Sequence, residues 1–259
     1  MENTNKESWN LHAKRFYHED YLSLDDIDFE SYDYPTDKDL NIIGDVQGLY
    51  CLEIGSGTCN CGIALSRKGA IVTCSDISEE QLKIGRQVAE KSGVKISTVC
   101  SDMLDLSFCE SNTMDLVISM SAEMYVPDFN KICVEVSRVL KNNGRFVFST
   151  THPFIACVGA TELWGEEQAD PNYSYKGAHT WKWREEDSFE FTTYRRQISD
   201  YVNGLANNKL LVKRMEELFP ITPLPDDHDF DEKEITVRTR YPSVLVIEAV
   251  KYDDAEGIR

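Results

Sequence analysis

Between Leu49 and Ser149 short apolar runs alternate with stretches of helical period, and no other feature of the 259-residue chain restricts its fold as much. Leu49-Tyr-Cys-Leu-Glu-Ile54 has the length and composition of a buried strand, and it breaks at once into Gly55-Ser-Gly57. Ile63, Ala64 and Leu65 follow on a short helix that ends near Gly69. Ala70-Ile-Val-Thr-Cys-Ser75 reads as a second strand, closed by Asp76. Ser78-Glu-Glu-Gln81 has capping-box spacing, and Leu82, Gly85, Val88 and Ala89 form a helical stripe behind it. Residues 95–100 and 115–119 give a third and a fourth strand. Ile132, Val136, Val139 and Leu140 recur at helical spacing until Asn142-Asn-Gly144, and Arg145-Phe-Val-Phe-Ser149 is a fifth strand. Strands alternating with helices of this length require right-handed crossovers and a parallel, doubly wound sheet. Such a sheet binds ligands beyond the carboxyl ends of its strands, where the strand order reverses.

Outside this block the pattern changes. Residues 1–46 hold a helical stretch with Trp9, Ala13, Phe16 and Tyr17, then a polar acidic segment through Tyr34-Pro35. Residues 151–195 have poor periodicity and many aromatics, among them Phe154, Trp164, Trp181 and Phe191. A helix over 197–206 and strands over 210–215 and 244–250 follow, the strands separated by a Pro-rich and acidic loop. The expected organisation is one domain: a helical cap (1–46), a cofactor-binding core (47–150), a lid insert (151–195), and C-terminal strands and helix (196–259).

Net charge narrows the partners. Asp plus Glu number 45 against 27 Lys plus Arg, a balance of −18, which repels nucleic acid and anionic membrane alike. With 41% hydrophobic residues the chain can bury a large core, and no apolar run reaches the length of a signal peptide or a membrane span. Half of the eight cysteines (Cys51, Cys74, Cys100, Cys133) lie in apolar runs, the habit of buried free thiols. A cytoplasmic monomer or homodimer acting on a small molecule is the expectation.

Glu53-Ile-Gly55-Ser-Gly57 opens a helix directly after a strand, where glycine lets backbone approach a ligand closely. Asp76 ends the next strand, placed to accept hydrogen bonds from ribose hydroxyls, and Asp102 follows the third. A nicotinamide dinucleotide needs a glycine at position 60, which is Asn60, and its pyrophosphate would face the charge of Glu53. A cationic ligand without phosphate suits these residues better.

These segments resemble the class I S-adenosylmethionine-dependent methyltransferases, of the small-molecule, type 11-like kind, over roughly residues 49–150. Leu52-Glu-Ile-Gly-Ser-Gly-Thr58 is similar to the family's first motif, Cys74-Ser-Asp76-Ile-Ser78 to the second, and Ser101-Asp102-Met103 to the third. Residues 115–119 and Arg138-Val-Leu-Lys-Asn-Asn-Gly144 are similar to the fourth strand and its following turn. The resemblance implies a seven-stranded, Rossmann-like sheet with an antiparallel last strand, S-adenosylmethionine as cofactor and S-adenosylhomocysteine as product. It implies cofactor binding by Tyr17, Glu53, Gly55, Ser56, Gly57, Asp76, Ile77, Asp102, Met103 and Ser119. Cys59 stands where the family's first motif has another glycine, which leaves the shape of that loop open.

The expected reaction is methyl transfer to an O or N nucleophile. A nicotinamide-dependent oxidoreductase and a non-catalytic cofactor-binding relative are the competing classes. Trp9, Tyr125, His152, Phe154, Trp164 and Trp181 are the candidate acceptor-binding residues, since aromatics make an apolar, water-excluding lid. Tyr125 and His152 are the catalytic candidates, because both follow strands at the ligand edge and histidine titrates near neutrality. For His152 a second reading stands: a hydrogen-bonded ring fixing the turn before Pro153. His12, His18, His179 and His228 read as surface residues. Cys59 and Cys61 read as small side chains under the glycine loop, since no further metal ligands follow.

Overall fold

A computed structural model describes residues 4–16, 24–31, 33–162, 172–182, 190–221 and 232–253. Its centre is a seven-stranded sheet. The first strands are β1 (Tyr50–Ile54), β2 (Ile71–Asp76), β3 (Ile96–Cys100), β4 (Met114–Met120) and β5 (Leu140–Thr151). A hairpin of β6 (Ala178–Lys182) and β7 (Glu190–Tyr194) stands apart, and β8 (Leu210–Leu218) and β9 (Val244–Lys251) complete the sheet. The order is β3-β2-β1-β4-β5-β9-β8, parallel through β5, with β9 antiparallel to both of its neighbours. The expected fold class is borne out, last antiparallel strand included. The chain winds outward from β1 to β3 and then returns to place β4 on the other side of β1, so the strand order reverses between β1 and β4.

Both faces of the sheet are covered, and the period of two along the strands shows it. Cys51, Leu116, Ile118, Val147 and Val246 face one apolar cluster, shared with α3 (Asn60–Arg67) and α4 (Glu79–Lys91). Their neighbours Leu52, Val117, Phe146, Phe148 and Ile247 face a second, shared with α5 (Phe129–Val139) and α7 (Ile198–Ala206). Most of these side chains are fully buried, each contributing about 1.5–3 kcal/mol relative to exposure. The Ser78 side chain caps α4 by accepting from the Gln81 N–H at 3.2 Å.

Three differences from the sequence reading have physical causes. The helix α5 stops at Val139, before Asn142-Asn-Gly144, and that turn becomes an irregularity inside β5, where Met114 pairs with Leu140 but Leu116 with Arg145. The aromatic insert contains ordered elements, the β6–β7 hairpin and α6 (Pro153–Glu162). A helix, α8 (Glu232–Arg240), lies within the stretch expected to be loop; it has no apolar stripe to announce it. All eight cysteines are unbridged, and seven are buried, but Cys100 is exposed at the end of the edge strand β3.

Two segments reach over the carboxyl ends of the strands. The helix α1 (Thr4–Phe16) packs on α4 and β7. A strap over 24–46, including the short helix α2 (Asp37–Leu40), buries Ile27, Phe29, Tyr34, Ile42 and Ile43. Much of its acidity is structural. Asp37 accepts the Ile42 and Ile43 N–H groups, both at 2.8 Å, and Asp26 accepts the Lys38 N–H at 3.0 Å.

Candidate functional site

A cleft of about 530 Å³ opens at the strand-order reversal, lined from the ends of β1 to β4, from α1 and from the strap. Its floor is the segment after β1. Gly55 (φ +63°) approaches the loop after β4 so closely that a Cβ there would lie 2.4 Å from the Ala122 Cβ. Gly57 (φ +52°) donates its N–H to Asp76 Oδ2 at 2.8 Å, tying the glycine loop to the end of β2. Asp76 also accepts the Ser78 N–H at 2.8 Å, and burial raises its carboxyl above the usual range. At the end of β3, Asp102 accepts the Leu104 N–H at 2.9 Å, and Met103 lies beside it.

Glu53 is 3% exposed and accepts the Gly62 N–H at 2.8 Å and the Cys74 thiol at 3.4 Å. Burial pushes its carboxyl up to about 8, against two stabilising hydrogen bonds. Gly62 has to be glycine: a Cβ there would fall 2.4 Å from Cys74 Sγ and 2.8 Å from Glu53 Oε2.

Cys59 takes the left-handed conformation (φ +63°) that a glycine would adopt, so the loop keeps its shape at a cost of about 1–2 kcal/mol. Room for its thiol comes from Gly85 on α4, where a Cβ would lie 2.6 Å from Cys59 Sγ. No group of three or more His, Cys, Asp or Glu is placed to hold a metal among the described residues.

The upper wall is aromatic. Asn5, Trp9, His12 and Ala13 share one face of α1 and all line the cleft. The Trp9 ring stands 5.2 Å from Tyr125 at 82° and 4.7 Å from Phe191 of the hairpin. Tyr125 belongs to a 3-10 turn (Glu123–Tyr125) after β4, and burial raises its hydroxyl well above the ordinary range. Asn5 binds this wall together: its amide donates to the Tyr125 and Thr192 carbonyls at 3.0 and 2.9 Å and accepts the Thr192 N–H at 2.8 Å. Beneath the wall Tyr201 donates to the buried Glu123 at 3.2 Å.

The sequence candidates separate accordingly. Glu53, Gly55, Ser56, Gly57, Asp76, Ile77, Asp102, Met103, Trp9 and Tyr125 are brought together around the one cleft. Ser119 is fully buried beneath the lining residues Met120 and Ser121. His152 is absent from the lining: it is 3% exposed, its Nδ1 accepts the Phe154 N–H at 3.1 Å, and its Nε2 faces Glu217 at 2.9 Å. An acceptor at Nδ1 fixes the proton on Nε2, and burial lowers the ring's affinity for a second one. This is the turn-fixing arrangement. Phe154 is 41% exposed against Tyr241, and Trp181 stacks on Phe191, one ring behind the cleft. Tyr17 and Trp164, with His18 and His228, lie outside the described residues.

Sequence reasoning missed Asn5, His12, Asp28 and Glu30, all in the lining. For the strap residues a signal existed. Ile27-Asp-Phe-Glu30 alternates apolar and acidic, and the structure buries Ile27 and Phe29 while Asp28 and Glu30 line the cleft.

Comparison with known proteins agrees with this geometry. Residues 52–148 match the family model described as a methyltransferase domain. The uncharacterized methyltransferase YbaJ of Bacillus subtilis is 34% identical over 110 residues, which is 42% of this chain and 43% of that one. A ubiquinone biosynthesis O-methyltransferase of Bordetella avium is 31% identical over 109 residues, 42% of this chain and 45% of the other. The matched stretches thus span less than half the length of these curated relatives. In fold, a crystal structure of a putative S-adenosylmethionine-dependent methyltransferase from Listeria monocytogenes superposes with a TM-score of 0.66 at 22% identity, over 83% of this chain and 96% of that one. Residues 52–148 match a methyltransferase domain, and the chain shares the fold of solved S-adenosylmethionine-dependent methyltransferases.

Proposed function

We propose that the chain transfers a methyl group from S-adenosylmethionine to an oxygen or nitrogen nucleophile of a small molecule. The observation that carries this reading is the donor set at the ends of β1, β2 and β3. Glu53, Asp76 and Asp102 line the cleft around a glycine loop, and among the described residues neither Lys nor Arg does. Such a set suits an ammonium, a sulfonium and ribose hydroxyls, and it opposes the pyrophosphate of a nicotinamide dinucleotide. A Cβ at Gly57 would meet no protein atom within 4 Å, so the loop faces open space on its ligand side.

When bound, the cofactor supplies an electrophilic methyl group on positively charged sulfur. Asp76 accepts hydrogen bonds from the ribose, and Asp102 with Met103 flanks the adenine. Glu53, through the Gly55 loop, holds the amino-acid end, and Ser56 and Ile77 close the floor. Trp9 and Tyr125 keep water from the transfer end, where an acceptor must be aligned with the breaking bond. His12, on the cleft face of α1 and 5.3 Å from Trp9, replaces His152 as the histidine to test for proton transfer. Trp181 and Phe154 contribute to packing of the cover.

Calorimetric titration with S-adenosylhomocysteine tests the reading. Wild type binds, and Asp76→Asn, which cannot accept ribose hydrogen bonds as a carboxylate does, weakens binding by about tenfold or more at a temperature where its circular dichroism shows it folded. Its melting temperature is lowered, because one of the Gly57 and Ser78 N–H groups loses its acceptor. Binding of NAD in place of S-adenosylhomocysteine would sink the proposal.

A further inference from the structure

Glu53, Asp76 and Asp102 do not exhaust the acidity of the cleft. Asp28 and Glu30 line it too, and neither comes from a strand end. Both belong to the strap, which is pinned through the residue between them: the Ser149 hydroxyl at the end of β5 donates to the Phe29 carbonyl. Phe29 is fully buried, while its two neighbours Asp28 and Glu30 line the cleft.

The two carboxylates sit differently. Glu30, exposed at the mouth, accepts the Ser121 hydroxyl beside Tyr125. Desolvation raises the Glu30 carboxyl above the ordinary range, against the Ser121 hydroxyl and the charge of Arg238, which is not part of the cleft wall. Asp28 is half-buried, makes neither hydrogen bond nor ion pair through its side chain among the described residues, and is pushed up to about 6 by burial and by Asp26, against the charge of Lys38. A carboxylate desolvated to that degree gains from a cation placed directly against it. The Trp9–Tyr125 pair lines the same cleft, and aromatic rings attract cations as well.

We infer that the methyl acceptor carries a basic nitrogen, and that Asp28 and Glu30 on the strap, lining the same cleft as Trp9 and Tyr125, select it as a cation. This rests on the methyltransferase reading above and names its substrate class. An acceptor with a carboxylate or phosphate near the reacting atom would meet two negative side chains and, among the described residues, no compensating Lys or Arg in the wall.

Three probes of similar size and different charge decide it: phenethylamine, phenethyl alcohol and 3-phenylpropionate, titrated calorimetrically into the full chain saturated with S-adenosylhomocysteine. The amine binds about tenfold more tightly than the alcohol and the acid, and Glu30→Gln and Asp28→Asn each remove most of that preference. Each variant keeps its affinity for S-adenosylhomocysteine within about twofold, a readout separate from the acceptor. Equal binding of the three probes, tighter binding of the acid, or no binding of the amine overturns the inference. So does a loss of S-adenosylhomocysteine affinity in both variants with the amine preference intact, which would assign these carboxylates to the methyl donor. Failure of wild type to bind S-adenosylhomocysteine, with the amine preference present, would instead strike the methyltransferase reading alone.

Discussion

Glu53 is held in a conflict between burial, which favours its protonated form, and two donors, which favour the carboxylate. Its folded-state value of about 8 lies above the ordinary 4.5, so the folded protein binds this proton more tightly than the unfolded chain does. The resulting stability is fully present below about 4.5 and is lost as pH rises through about 8. Asp28, raised to about 6, acts in the same direction. The ligand-free protein should therefore melt at a higher temperature at pH 6 than at pH 8, and Glu53→Gln should flatten that dependence; an unchanged slope in the variant would mean Glu53 is already ionised at neutrality. A ligand ammonium beside Glu53 would expel its proton, visible as a binding enthalpy that varies with the buffer's ionisation heat. Glu53, Gly55, Gly57, Asp76 and Asp102 were legible in the sequence because each sits at a fixed covalent distance from a strand end. Asp28, Glu30 and His12 were not, because their place depends on where a whole segment docks. His152 misled for the converse reason: it does follow β5, but its ring is held by Glu217 and the Phe154 N–H.

At the level of elements, the strands of the core were legible because alternation along each one had to serve two covered faces. The cover was not. The hairpin β6–β7 leans on aromatic contacts through Phe191, and α8 buries little of its own surface, so neither carries a clear period. Docking of α1 depends on a few side chains: Asn5 to the Tyr125 turn and β7, Ser8 to the Glu190 carbonyl at 2.7 Å, and Asn10 accepting the Ser78 hydroxyl at 2.7 Å. Asn5→Ala removes three hydrogen bonds and leaves buried backbone groups unpaired, at roughly 1–3 kcal/mol for each group left unsatisfied. The expected result is faster amide exchange and proteolysis confined to α1 and the hairpin, with exchange in β1, β4 and β5 unchanged. Protection lost uniformly across the sheet would show that the cap and core unfold as one unit.

For the molecule as a whole, a net charge of −18 stores repulsion that counter-ions relieve. Raising sodium chloride from about 20 to about 200 mM, across a Debye length of about 10 Å at 0.1 M, should raise the melting temperature. The same change should weaken phenethylamine binding, since the same field attracts it. A melting temperature that falls with salt would mean surface ion pairs such as Lys141–Asp115 outweigh the general repulsion. The cover joins α1 and the strap to a hairpin from a distant stretch of chain, with Asn5 bonded to residues 120 and 187 positions away. The sheet needs none of them for its own hydrogen bonds. Traffic through the cleft is thereby uncoupled from the integrity of the floor: a molecule can come and go by breaking the handful of side-chain ties that hold α1, while every rung between β1 and β4 stays closed.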